Sequence, residues 1–142
     1  MKISAILICS GLLMVPGTLA GQCTKVGSKY RCGRIENNSK RTMSYTQDPN
    51  SSTAPHLCQF WNWPGHSDKP VKCTQYTTPP GGTAGCGTCS AKGVDVDGFT
   101  FADTDYIINN DPITKGVWTK IDDLTTVVCN GGQGSTKPYC TS

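Results

Sequence analysis

Along the chain, apolar side chains come in short runs, and Gly or Pro interrupts each run before a helix could form. The clearest alternation places Val94 and Val96 before Asp97-Gly98, and Phe99 and Phe101 after it. Asp-Gly between alternating apolar residues is a strong local hairpin signal, so a hairpin is expected over 94–101 with its turn at Asp97-Gly98. Strands are also expected over 29–35, 41–46, 71–76, 116–121 and 124–129, with Asp122-Asp123 closing a tight turn between the last two. Tyr106-Ile107-Ile108 is a further apolar patch, ended by Asn109-Asn110-Asp111-Pro112. Polar or Gly/Pro-rich stretches over 47–55, 77–85 and 130–138 predict loops. Helix formers are scarce, and Glu36 is the only glutamate. The fold class implied is mainly β: a small, disulfide-stapled antiparallel sheet or sandwich with long loops and little helix.

Composition adds a compartment. Lys2, the apolar run 3–15, Pro16-Gly17 and the small residues ending at Ala20 have the three parts of a cleavable secretory signal. The apolar run is too short to span a membrane, which takes roughly 20 apolar residues. Residues 1–20 are therefore expected to be a signal peptide and 21–142 a single secreted, extracellular domain. That domain holds only two leucines, Leu57 and Leu124, and its core needs support from elsewhere. Cys23, Cys32, Cys58, Cys73, Cys86, Cys89, Cys129 and Cys140 supply it. An even count in an oxidising compartment reads as four disulfides, each contributing about 2–4 kcal/mol, with their pairing open. No membrane span, cofactor motif or oligomerisation signal stands out, and a monomer is expected.

Charge is uneven. Eight Lys/Arg face three Asp/Glu from Cys23 to Cys73, against four and seven from Thr74 to Ser142. A basic half suits an anionic partner such as RNA, an acidic glycan or a membrane surface, or it is simply a solvated surface.

Several residue groups could carry chemistry. Cys86-Gly87-Thr88-Cys89 is a C-x-x-C, but no helix follows to lower a thiol pKa, so its cysteines are expected to be structural. No metal site is expected, because a second C-x-x-C is missing and His56 and His66 stand ten residues apart. Asp95, Asp97, Asp103 and Asp105 surround the expected hairpin without the order of a calcium loop, which suggests turn-forming, solubilising aspartates. Phe60-Trp61-Asn62-Trp63-Pro64-Gly65-His66 is the densest aromatic segment. On a strand, Trp61 and Trp63 would share one face and Phe60 the other. Exposed, Trp61 and Trp63 would stack on sugars or bases and form a chitin- or glycan-binding face; buried, they would fill a core short of Leu and Ile. A secreted ribonuclease would need a carboxylate or His base, a His acid and a cation, for which Glu36, His56, His66, Arg31, Arg34, Lys40 and Arg41 are available types. No G-x-S-x-G is present for a serine hydrolase. Asn37-Asn38-Ser39 and Asn50-Ser51-Ser52 are glycosylation sequons, and Lys40-Arg41 is a dibasic pair.

Two resemblances follow from these residues. Tyr30-Arg31-Cys32-Gly33 near the mature start, with a last cysteine at 140, resembles the fungal guanyl-specific ribonucleases, although that family's Glu/Arg/His pattern is absent downstream. The signal sequence, the length, the eight cysteines and the Y-x-C at Tyr30-Arg31-Cys32 resemble the small secreted cysteine-rich proteins of plant-associated fungi, the candidate effectors. That second resemblance implies a stable, non-enzymatic virulence protein binding a host protein or cell-wall glycan in the host apoplast.

Overall fold

The computed structural model describes residues 22–63 and 69–142; the expected signal peptide and His66 lie outside them. Among the described residues there are fifteen strands and no helix. They are β1 (Thr24–Val26), β2 (Lys29–Arg31), β3 (Arg34–Asn37), β4 (Met43–Thr46), β5 (His56–Phe60), β6 (Val71–Cys73), β7 (Tyr76–Thr78), β8 (Thr83–Ala84), β9 (Thr88–Cys89), β10 (Gly98–Thr100), β11 (Tyr106–Ile108), β12 (Asp111–Ile113), β13 (Val117–Lys120), β14 (Thr126–Gly131) and β15 (Pro138–Thr141). This is the small disulfide-stapled β fold that the composition implies.

The strands form three sheets: β1-β2-β9, β6-β5-β13-β10-β4-β7 and β12-β11-β15-β14-β3-β8. Most neighbours run antiparallel, but β5–β13, β11–β15 and β3–β14 are parallel. A parallel pair needs a long return connection, so each joins segments far apart in the chain.

The two six-stranded sheets share one core. Ile35, Val127, Ile108 and Tyr106 from one sheet meet Met43, Phe99 and the adjoining Phe101 from the other, all at or near complete burial. Tyr106 lies at its centre, with ring centroids 5.5 Å from Phe99 and 5.4 Å from Phe101. Its hydroxyl donates to the Val117 carbonyl at 2.9 Å and lies 2.8 Å from Thr119 Oγ1, so a buried polar tip is satisfied. A smaller core at one end gathers Cys58, Phe60, Val71, Cys73 and Trp118. Leu57 and Leu124 are both exposed, at 64% and 67%. Aromatics and β-branched residues fill the interior instead.

Four disulfides close the chain between successive cysteines: Cys23–Cys32, Cys58–Cys73, Cys86–Cys89 and Cys129–Cys140. Two of them cross-link adjacent strands, β5 to β6 and β14 to β15.

The expected hairpin over 94–101 does not form. Residues 94–97 are irregular and Gly98 opens β10, paired to Thr46 on one side and Lys120 on the other. The segment instead bridges the sheets: Val96 N–H donates to the Gly33 carbonyl at 3.1 Å and Asp97 N–H to the Thr46 carbonyl at 2.9 Å. Gly98 is required for close approach rather than for a turn. A Cβ there would lie 2.6 Å from Phe60 Cε1 and 2.9 Å from the Thr119 carbonyl oxygen. Asp122-Asp123 does turn the chain, with Asp122 Oδ1 accepting from Leu124 N–H at 3.2 Å. It delivers β13 and β14 to different sheets, however, so no hairpin joins them. A two-residue hairpin does form between β11 and β12, through Asn109 and Asn110, whose φ of 49° and 76° suit a primed turn.

Candidate functional site

The aromatic segment 60–63 leaves β5 at Phe60 and bends, which breaks the strand alternation expected of it. Phe60 is fully buried and offers no binding surface. Trp63 packs edge-on against Phe60 with centroids 5.1 Å apart at 88°, so these two share a side. Trp61 turns the other way and packs against the main core. Both tryptophans are half-buried.

Trp61 is fixed by its surroundings. Its backbone N–H donates to the Trp118 carbonyl at 3.3 Å and its indole Nε1–H to Thr119 Oγ1 at 3.0 Å. The next residue, Asn62, clamps the end of β13 through both backbone groups of Lys120, donating to its carbonyl at 3.0 Å and accepting from its N–H at 2.8 Å. Lys120 in turn holds its ammonium 5.7 Å from the Trp63 ring centroid, a cation–π contact.

Held in this way, Trp61 forms part of a half-open cleft of about 210 Å³ at the seam between the two large sheets. Asn109, Asp111, Asp122 and Ser142 supply polar groups to it, and Ile108 and Val127 an apolar floor. Asn109 is anchored to the last residue, its Nδ2 donating to Ser142 Oγ at 2.6 Å and its Oδ1 accepting from Ser142 N–H at 3.2 Å. Asp111 is exposed on β12. Sequence reasoning singled out Trp61, but not Asn109, Asp111 or Asp122. Asn109 and Asp111 read there only as the end of an apolar patch, and Asp122 only as a turn.

No protein-family model, curated protein or solved structure matches this chain. Its function must therefore be argued from its own geometry.

The aspartates around 95–105 fall into two pairs. Asp103 and Asp105 are surface groups, ion-paired to Arg41 at 3.4 Å and Lys137 at 3.1 Å. The Lys115 N–H and the Lys137 ammonium hold the Asp105 carboxyl below its ordinary range. Asp95 and Asp97, expected to be solubilising, are buried at 3% and 7% exposure because the bridging segment carries them between the sheets. Asp95 Oδ1 accepts from Gly33 N–H at 2.7 Å, while Oδ2 of both residues is buried without a partner. Burial pushes both carboxyls up. Asp97 rises to about 8, helped by the Asp95 charge and opposed by Lys120.

Among the described residues, no histidine named for a nuclease meets Glu36. Glu36 on β3 pairs with Arg34 at 3.0 Å, whereas His56 is exposed on β5 in the other large sheet. Neither lines the Trp61 cleft. Arg41 is taken up by Asp103 and by the Gly132 and Gly134 carbonyls, and Lys40 is exposed.

The two sequons also differ. Asn37 is fully buried, its Nδ2 donating to the carbonyls of Arg41, Thr78 and Pro79 at 2.8–3.1 Å and its Oδ1 accepting from Ser39 Oγ at 2.6 Å. It organises a loop and is closed to glycosylation once folded. Asn50 is exposed and remains open to it.

Proposed function

We propose that the chain is an extracellular, non-enzymatic binding protein whose ligand is a glycan of the host or cell wall, with one sugar ring seated beside Trp61. The observation that carries this is the cleft itself: an immobilised indole meets Asn109, Asp111, Asp122 and Ser142 at one seam of a disulfide-stapled sandwich. A sugar ring presents an apolar C–H face to an aromatic ring and a rim of hydroxyls to planar amides and carboxylates. At about 210 Å³ the cleft falls below the roughly 300–1,000 Å³ of sites that enclose a drug-sized ligand, so it suits one ring of a longer chain. Trp63 serves the cleft indirectly, through Lys120. Four disulfides fit an oxidising, protease-rich exterior, in keeping with the signal sequence and the resemblance to secreted cysteine-rich fungal effectors.

The test is tryptophan emission of the oxidised protein, quenched by acrylamide, with chitin oligomers, other wall oligosaccharides or RNA added. A glycan that shields part of the emission, and loses tenfold or more in affinity with Asp111→Ala, supports the proposal. Protection by RNA alone, or by none of these ligands, overturns it.

A further inference from the structure

Four sulfur atoms meet where the N-terminal hairpin of β1 and β2 lies against β9. Cys32 Sγ, already bonded to Cys23, lies 3.1 Å from Cys86 Sγ and 3.9 Å from Cys89 Sγ. The sulfurs of Cys23, Cys32 and Cys86 all lie within 4.8 Å of one another. A cleft of about 280 Å³, lined in part by Arg31, Cys32, Arg34, Cys86 and Asp123, opens the cluster to solvent. Cys23 and Cys32 are buried, while Cys86 and Cys89 are only half-buried. Two disulfides are thus stacked against each other, and the more accessible one faces an entry path.

We propose that Cys23, Cys32, Cys86 and Cys89 form a thiol–disulfide exchange site that takes a small-molecule thiol and passes between two pairings of the same four sulfurs. The incoming thiolate attacks Cys86 Sγ, breaking Cys86–Cys89 and leaving a mixed disulfide on Cys86 and a thiolate on Cys89. The Cys89 thiolate attacks Cys32 Sγ, 3.9 Å away, forming Cys32–Cys89 and releasing Cys23 as a thiolate. Cys23 then attacks Cys86 Sγ, forming Cys23–Cys86 and expelling the small thiol with its electron pair. Three sulfur–sulfur bonds break and three form. Nothing is oxidised or reduced overall, and the small thiol is regenerated.

The two pairings differ in what they hold together. In the present one both bridges are local, spanning 9 and 3 residues. The hairpin is then joined to the body by non-covalent contacts: the β2–β9 pairing, Cys32 N–H donating to the Gly87 carbonyl at 2.8 Å, and the Thr24 hydroxyl donating to Asp123. In the exchanged form Cys32–Cys89 closes a span of 57 residues and ties the hairpin to β9 covalently. The site therefore switches the hairpin between a docked and a stapled state.

The folded, oxidised protein is incubated with a trace of reduced glutathione, blocked by alkylation, and cleaved after Lys, Arg and the aromatic residues, so that Tyr76 parts Cys73 from Cys86 and Cys89 and Tyr139 parts Cys129 from Cys140; its linked peptides are then identified by mass. Before exchange, the peptides carrying Cys23 and Cys32 are joined to each other. Afterwards both are expected on the peptide that carries Cys86 and Cys89, growing with time to a steady ratio, while Cys58–Cys73 and Cys129–Cys140 stay unchanged. An unchanged map overturns the proposal. So does scrambling that spreads to all eight cysteines, because the exchange would then not belong to this cluster.

Discussion

Asp97→Asn is expected to flatten the dependence of stability on pH and to stabilise the protein in mildly alkaline solution. The Asp97 carboxyl titrates near 8 in the folded chain, against 3.8 without the fold. Between those values the native state keeps a proton that the unfolded chain has released. Its contribution is therefore complete below about pH 4 and is lost as pH rises towards 8. Within that window the loss runs at about 1.4 kcal/mol per pH unit, and across the whole of it on the order of 5 kcal/mol. At 7% exposure little solvent screening reduces this figure. The charged groups acting on Asp97 are Asp95, Lys120, Asp123 and Asp48, of which Lys120 alone favours ionisation. A carboxamide of the same shape removes the titration and leaves the weaker contribution of Asp95. Urea unfolding followed by tryptophan fluorescence at pH 5, 6, 7 and 8 measures both slopes. An Asn variant that keeps the native slope, or that is less stable than the native protein at pH 8, would refute the reasoning.

Gly98→Ala forces a methyl group onto Phe60 and the Thr119 carbonyl and is expected to cost about 1–3 kcal/mol in urea unfolding. Asn37→Ala strands the carbonyls of Arg41, Thr78 and Pro79, with an expected loss of about 1–3 kcal/mol and new proteolytic cuts within the loop at 38–42. Glycosylation in a secretory host is expected at Asn50 and not at Asn37, and intact mass of Asn50→Gln against Asn37→Gln checks this. Tyr106→Phe removes a hydroxyl held by the Val117 carbonyl and Thr119, and is expected to lower stability by about 1–2 kcal/mol in thermal unfolding.

The β character, about half of the strands and the presence of a cysteine framework were legible because they rest on local composition, whereas β7 and β8 arise in or beside the stretch over 77–85 that reads as a loop. What the sequence could not convey was partnership. The stretch over 29–35 splits into β2 and β3, which enter different sheets, because Cys32 and Gly33 turn aside to meet Gly87 and Val96. Asp97-Gly98 carries the local mark of a turn, yet pairing on both sides draws Gly98 into a central strand, and its missing side chain makes room for a ring on β5. At the cleft, Trp61 stood out by type. Asn109, Asp111 and Asp122 did not, because only the meeting of the β11–β12 turn with the end of β13 brings them beside it. The exposed Leu57 and Leu124 make the same point from the other side. Large aliphatics normally seed a core, but here both leucines lie outside it, and isoleucines, valines, Met43 and aromatics at inward positions fill it.

The disulfides and the sheets also impose opposite schedules on an emerging chain. Each bridge joins neighbours in the cysteine order, across spans of 3 to 15 residues, and can close almost as soon as its second member appears. β3, in contrast, waits for β14 and β11 for β15, so the second large sheet cannot be assembled until the last strand is made. The chain thus gathers into short covalent loops first and finds its architecture last. Any truncation that removes β15 is expected to part β12-β11 from β14-β3-β8 and leave that sheet in two halves.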